Sequence, residues 1–280
     1  MNRKPRIVKA ESYAVDEIGG FPIDEQYASY WIEKYDENGR LIEKIHTEDF
    51  SFNKQDTDLV ERYEYDEKGR LLYILSNQDE DPQEWYTYDT DEDGNEVEIH
   101  SRVFYSYHEN ESECEVSEIP YTEHLFSIKN PKGVLLAQWE LYENYGDKPY
   151  YVDSHYEYLY DENGDLSVVI VYGEEELDAD GNIISAKELR RLKVTIEKTG
   201  DKTVSIWKND KGEVELEETI EVYRDANGVE HPKLHIKGDG HGDNFHHIEY
   251  EYPDDTFDHY SMYEVDWDGS IQRTDYWVED

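Results

Sequence analysis

Along much of this chain apolar and polar side chains alternate with a period of two. In residues 150–160, Val152, Ser154, Tyr156, Tyr158 and Tyr160 fall on one side, and Asp153, His155 and Glu157 on the other. Val214, Leu216, Ile220 and Val222 alternate with Glu215, Glu217 and Glu221, interrupted by Glu218. Ile248, Tyr250 and Tyr252 stand against His247, Glu249 and Glu251. Alternation over this length predicts half-buried β-strands. Shorter runs rich in strand formers cover residues 27–32, 41–45, 59–65, 71–75, 135–142, 262–267 and 271–277. Leu166–Tyr172 is the most apolar run and reads as a central strand. Residues 76–84 are polar throughout and read as an exposed loop.

One signal recurs between these strands. Tyr35-Asp36-Glu37-Asn38-Gly39-Arg40-Leu41 returns almost unchanged at residues 65–71 and again at 160–166. Its skeleton, Asp or Asn three residues before Gly, occurs nine times, at Gly39, Gly69, Gly94, Gly133, Gly164, Gly181, Gly212, Gly228 and Gly269. An Asp or Asn side chain at the head of a type I turn accepts backbone N–H groups two residues on. A left-handed Gly at the fourth position completes a hairpin connection with a G1 bulge. Asp36 with Gly39, Asp66 with Gly69 and Asp161 with Gly164 are the clearest turn-forming pairs. The spacing between glycines is irregular, with three gaps of 30 or 31 residues, enough for two strands and a reversal.

The two full copies at residues 35–41 and 65–71, and 160–166 without the Arg, resemble the YD repeats of the RHS family. In that family the repeats are β-hairpins wound into large shells around a toxin domain. The resemblance implies hairpin architecture and transfers no functional residue. The expected fold is all-β: an array of antiparallel YD-repeat-like hairpins forming an extended, twisted or curled sheet. It reads as a single domain over residues 1–280, with a possible sub-boundary near 108–120, the weakest strand-like stretch.

Composition sharpens this picture. Hydrophobic residues are 36% of the chain, yet Tyr contributes 26 residues, the amphipathic aromatic suited to half-wet sheet faces. The formal net charge is −43. That excludes nucleic-acid binding by a basic surface, opposes docking on anionic lipid, and favours fast association with a basic protein. The same acidity also keeps a wide antiparallel sheet from pairing with its neighbours. Residues 187–211 depart from it, with eight basic against four acidic residues. They read as a hairpin around Thr199–Asp201 whose cations meet acidic neighbours across the sheet, with a helical turn at Leu189–Leu192 as the alternative. Cys114 is the single cysteine, so an internal disulfide is impossible. A basic N-terminus is not followed by an apolar run, and the expected location is cytoplasmic.

Candidate chemistry is sparse. Asp89, Asp91, Asp93 and Gly94 match four positions of a calcium loop, but position twelve is His100. The Gly- and His-rich segment 238–247 offers His241, Asp243, His246 and His247 as metal donors, or forms a flexible polar loop. No phosphate loop, nucleophile elbow or paired-cysteine motif occurs, so no catalytic residue and no cofactor is assigned. The expected function is a non-enzymatic acidic protein-binding module, in its most concrete form an immunity-type inhibitor capturing a basic toxin such as a nuclease. Its candidate contacts are Tyr156, Tyr158, Trp207, Glu215, Glu217 and Glu221. A carbohydrate-binding module stacking sugars on exposed Tyr and Trp is one alternative. A metal protein or enzyme built on residues 238–247 is the other.

Overall fold

The computed structural model describes residues 6–15, 17–20, 23, 29–47, 58–79, 81–110, 115–146, 148–239, 244–253, 258–266 and 268–279. Among them are eighteen strands and no helix. The first nine are β1 (Arg6–Val15), β2 (Ser29–Tyr35), β3 (Leu41–Thr47), β4 (Leu59–Tyr65), β5 (Leu71–Ser76), β6 (Glu84–Thr90), β7 (Glu96–Asn110), β8 (Glu115–Lys129) and β9 (Leu135–Glu143). The remainder are β10 (Tyr150–Tyr160), β11 (Leu166–Leu177), β12 (Ile183–Thr199), β13 (Lys202–Lys208), β14 (Val214–Arg224), β15 (Glu230–Gly238), β16 (Asn244–Glu251), β17 (His259–Val265) and β18 (Ile271–Glu279).

All nine Asp/Asn-to-Gly segments lie at β-reversals. Every one of the nine glycines is left-handed, with φ between 79° and 85°. In each, the Gly N–H donates to the carbonyl of the Asp or Asn, as in Gly39 to Asp36 at 3.0 Å. The Asp or Asn N–H donates to the carbonyl just beyond the Gly, as in Asp66 to Arg70 at 2.9 Å. The side chain completes the turn: Asp36 Oδ1 accepts the N–H of Asn38 and of Arg40 at 2.8 and 2.9 Å. Asn130 and Asn209 do the same with a neutral amide oxygen. In five of the turns the residue after the Gly is matched to the turn residue. Arg40 and Arg70 donate to Asp36 and Asp66, and Asn95 and Asn182 donate to Asp91 and Asp178. Where the turn residue is Asn209, polarity reverses and Glu213 accepts from it at 2.9 Å.

The chain divides into two compact units. The first comprises residues 1–63, 76–80 and 195–280. Within it, β13 to β18 pair in succession, and β18 then pairs antiparallel with β1, which pairs with β2, followed by β3 and β4. The expected extended row is corrected here: β1, which such a row leaves at an edge, is hydrogen-bonded on both sides. Its core is small and centres on Tyr13, Val15 and Tyr263, with Ile18 and Ile271 against them. Ser76 ends β5, and Asn77, placed above in an exposed loop, clamps β4: Asn77 N–H donates to Val60 O and Val60 N–H to Asn77 Oδ1, both at 2.9 Å.

The second unit comprises residues 64–75 and 81–194, with β5 to β12 pairing in sequence order. The possible boundary near 108–120 falls inside its longest hairpin, where β7 and β8 pair without a break from Glu96–Lys129 to Asn110–Glu115. Leu189–Leu192 is extended within β12, which corrects the helical alternative. The alternation in β10 is also corrected. A bulge between Val152 and Ser154 puts Val152 opposite Leu141, on the face that His155 shares with Trp139. Among the described residues of this unit, few apolar side chains are buried: Leu141, Val169, Ile170, Leu192 and Val194. Most strand positions in both units are half-buried, and Ile220, expected to face inward, is 39% exposed.

The turns yield two expectations. An added Cβ meets nothing within 4 Å at Gly164 but meets the Tyr150 ring at 2.8 Å at Gly181. Gly164→Ala is expected to cost about 1–2 kcal/mol for left-handed backbone alone, and Gly181→Ala about 3 kcal/mol because the ring must also yield; urea unfolding checks the difference. Asp36 is held at about 2, below its ordinary 3.8, first by the Arg40 N–H and then by the Arg40 side chain and Asn38. A lowered folded value means stabilisation is present above pH 3.8 and lost as pH falls towards 2. Asp36→Asn, which keeps the acceptor, is expected to lose less stability than the parent between pH 5 and pH 2.

Candidate functional site

The proposed contact residues do not gather in one place. Tyr156 and Tyr158 lie on β10 of the second unit, half-buried against β9 and β11, with Tyr156 opposite Gln138 and Val171. Trp207, Glu215, Glu217 and Glu221 share the β13–β14 hairpin of the first unit. There Glu217 is exposed, while Glu221 takes Lys233 at 2.8 Å and Lys202 at 3.5 Å and is held below the usual carboxylate range by them, Lys233 foremost. Trp207 is half-buried opposite Leu216.

His241 and Asp243 lie outside the described residues. His246 and His247 are adjacent in β16, so their side chains leave opposite faces and do not converge on one ion. His246 packs edge-on to His235, ring centres 4.7 Å apart, and His247 Nε2 lies 2.8 Å from Glu249. Among the described residues, no three His, Cys, Asp or Glu side chains gather as a metal site. In the calcium-like segment both Asp91 oxygens are occupied by the turn, accepting from Asp93, Asn95 N–H and the Asn95 amide.

A cluster that the alternation pattern did not single out joins β1, β17 and β18 in the first unit. Asp275, 6% exposed, accepts from Tyr13 OH at 2.5 Å and Ser261 OH at 2.5 Å. Arg273 Nε donates to the same carboxylate at 2.9 Å, and its other nitrogens reach Ser261 Oγ and Gly20 O, each at 3.2 Å. The guanidinium lies between the rings of Tyr13 and Tyr263, 5.6 and 5.5 Å from their centres. Burial first, then the Asp275 contact, pushes the Tyr13 phenol up, so it stays a donor. With the charges paired and the hydroxyls engaged, this cluster locks the first strand to the last; it is not poised for chemistry. Its signal in sequence is Arg273 and Asp275, two residues apart in an otherwise half-apolar strand.

Elsewhere the surplus acid is met by neutral donors. Tyr35, Tyr63 and Tyr86 donate to Glu33, Glu61 and Glu84, each two residues earlier, at 2.6, 3.1 and 2.9 Å. Histidines join from the next strand: His100 Nε2 sits 2.7 Å from Glu84 and its ring stacks on Tyr86 at 4.3 Å. His46 approaches Glu61 at 3.7 Å. In the first unit, Tyr223, Tyr252, Tyr260, Tyr276 and Trp31 form a continuous run of ring contacts 4.7–6.2 Å apart, ending under Lys44.

No family model matches the chain, and no curated protein does. Among solved structures it is similar to a chain of the Photorhabdus luminescens Tc holotoxin pore, at 10% identity and a TM-score of 0.18, covering 87% of this chain and 18% of that one. The chain therefore spans under a fifth of the length of that relative, and so weak a likeness carries no argument about fold or function.

Asp275→Asn is expected to destabilise the protein by about 3 kcal/mol, since it leaves the Arg273 charge largely buried without its partner. Ser261→Ala, which removes one neutral donor, is expected to cost about 1 kcal/mol. Paired urea titrations distinguish the two.

Proposed function

We propose that this protein is a non-enzymatic binding module that captures a basic protein partner. The observation that carries the reading is how the cations are used. Acidic residues number 70 against 27 Lys and Arg. Many of those cations are committed to the chain's own carboxylates, as in Lys9–Glu279, Arg70–Asp66, Arg102–Glu123, Lys129–Glu98, Lys187–Glu174 and Arg224–Glu230. Even the basic stretch 187–211 is drawn into such pairs through Lys187, Arg191 and Lys202. With cations paired in this way, the acidic surplus behind the net charge of −43 is left to an incoming positive surface. Opposite charge speeds encounter and discriminates against acidic competitors.

The most specific form of the proposal is an immunity-type inhibitor of a basic toxin such as a nuclease. The YD-like copies at residues 35–41, 65–71 and 160–166 favour a toxin-system setting by association alone.

A cognate basic partner is expected to bind with an association rate that falls at least about tenfold between 50 and 500 mM salt, while its dissociation rate changes little. Stopped-flow mixing measures both. An association rate indifferent to salt contradicts the proposal.

A further inference from the structure

The second unit holds a cleft of about 370 Å³ lined by Tyr150, Tyr151 and Tyr172 together with Asp153, Glu174 and Glu175, of which Glu174 is already paired with Lys187 at 2.6 Å. Its volume lies within the range of small-ligand sites. Two breaks in the ladders shape it. β10 shifts register against β9 between Val152 and Ser154, and β11 shifts against β12 between Gly173 and Glu176. At the second break Glu174 has φ of 54°, left-handed for a residue that carries a side chain. Such a conformation persists only where its surroundings hold it. A Cβ at Gly173 beside it would stand 2.5 Å from Leu189 Cδ1, so the Leu189 side chain would have to move to admit one. Gly181 seats the Tyr150 ring in the same close manner.

The distorted segment leaves one carboxylate in an unusual position. The Glu175 side chain is 8% exposed, and its buried Oε1 completes no hydrogen bond. The nearest basic atom, His155 Nδ1, is 3.5 Å away, buried, and equally without a hydrogen bond. Burial holds the His155 imidazole below its ordinary value, with Glu175 pulling the other way. The ring is therefore neutral near pH 7. A buried carboxylate facing a neutral ring is short of positive charge, and that shortage is costly until a cation relieves it. The chain displays the complementary chemistry at the cleft itself: Lys148 Nζ stands 5.1 Å from the centre of the Tyr151 ring, a cation–π distance.

We propose that this cleft binds the alkylammonium group of a lysine-like amine, its charge set against Glu175 and Asp153 and its methylenes against the tyrosine rings. The site stands on its own geometry. Only the source of the amine, a lysine side chain of the captured protein, rests on the function proposed above.

The test titrates n-butylammonium into the full chain at 150 mM salt by calorimetry, with 1-butanol as the uncharged counterpart. The expected result is saturable one-site binding of the amine and none of the alcohol. Glu175→Gln is expected to weaken the amine at least tenfold, and Tyr151→Leu several-fold. Lys148→Met, which removes a competing charge, is expected to tighten it. Glu37→Gln in the first unit, an equal loss of charge at an exposed position elsewhere, is expected to change nothing. Equal uptake of amine and alcohol overturns the inference, as does amine binding that Glu175→Gln and Glu37→Gln weaken alike. Should Glu175→Gln lose its far-UV β signal, Tyr151→Leu and Lys148→Met decide with the same opposite signs. A Gly-Lys-Gly peptide that binds as well as n-butylammonium identifies a protein side chain as the source, and its exclusion identifies a free amine. Salt-dependent capture of a basic protein without butylammonium binding overturns this site and leaves the function standing; the converse leaves the site and removes the function.

Discussion

The fold depends on a single local arrangement: an Asp or Asn side chain that accepts two backbone N–H groups while a left-handed glycine closes the turn. Eight turns carry this full arrangement, and at the ninth Asp268 rather than Asp266 accepts the Ser270 N–H; all nine have φ near 80° at the Gly. The arrangement is self-contained, since donors, acceptor and glycine all lie within five residues. It therefore specifies each hairpin without the help of any distant contact. This matters in a protein with so few fully buried apolar side chains, because a thin core specifies register poorly. Turn geometry does that work instead, aided by bulges that recur beside the turns, as between Lys34 and Tyr35 or Trp207 and Lys208.

The abundance of tyrosine follows from the abundance of acid. With 70 carboxylates and 27 strong cations, ion pairing alone leaves most acceptors without a donor. Phenols supply donors without adding charge, and their aromatic bodies cover half-wet strands. Tyr35, Tyr86 and Tyr142 are pushed up by burial and by the glutamates they serve, which keeps them protonated. Other phenols hold backbone: Tyr88 and Tyr160 donate to Leu71 O and Leu135 O, each two residues beyond a turn glycine of the neighbouring hairpin. At Tyr160 the tyrosine of the repeated motif thus ties one reversal to the next, while at Tyr35 it serves Glu33 instead.

How much of this was legible in the sequence tracks the range of each interaction. The nine turns were readable because every participant sits within a few residues. The alternating strands were readable for the same reason, up to the bulge at Asp153, which an unbroken count of two cannot register. The pairing of β1 with β18 was not readable, since it joins residues more than 250 positions apart. The Tyr13–Asp275 cluster was hidden by the same distance, and its carboxylate was one among 70. Glu175 was masked differently. It stands in a run of three glutamates, and only the left-handed turn at Glu174 separates the buried one from its exposed neighbours.

Native-state amide exchange, read residue by residue by NMR, tests the central claim most directly. The account predicts slowed exchange at both the Asp or Asn and the Gly of all nine turns, from Asp36 and Gly39 to Asp266 and Gly269, because each N–H is bound across its own reversal. Free exchange at most of these pairs, or protection running continuously through them as in a helix, contradicts it.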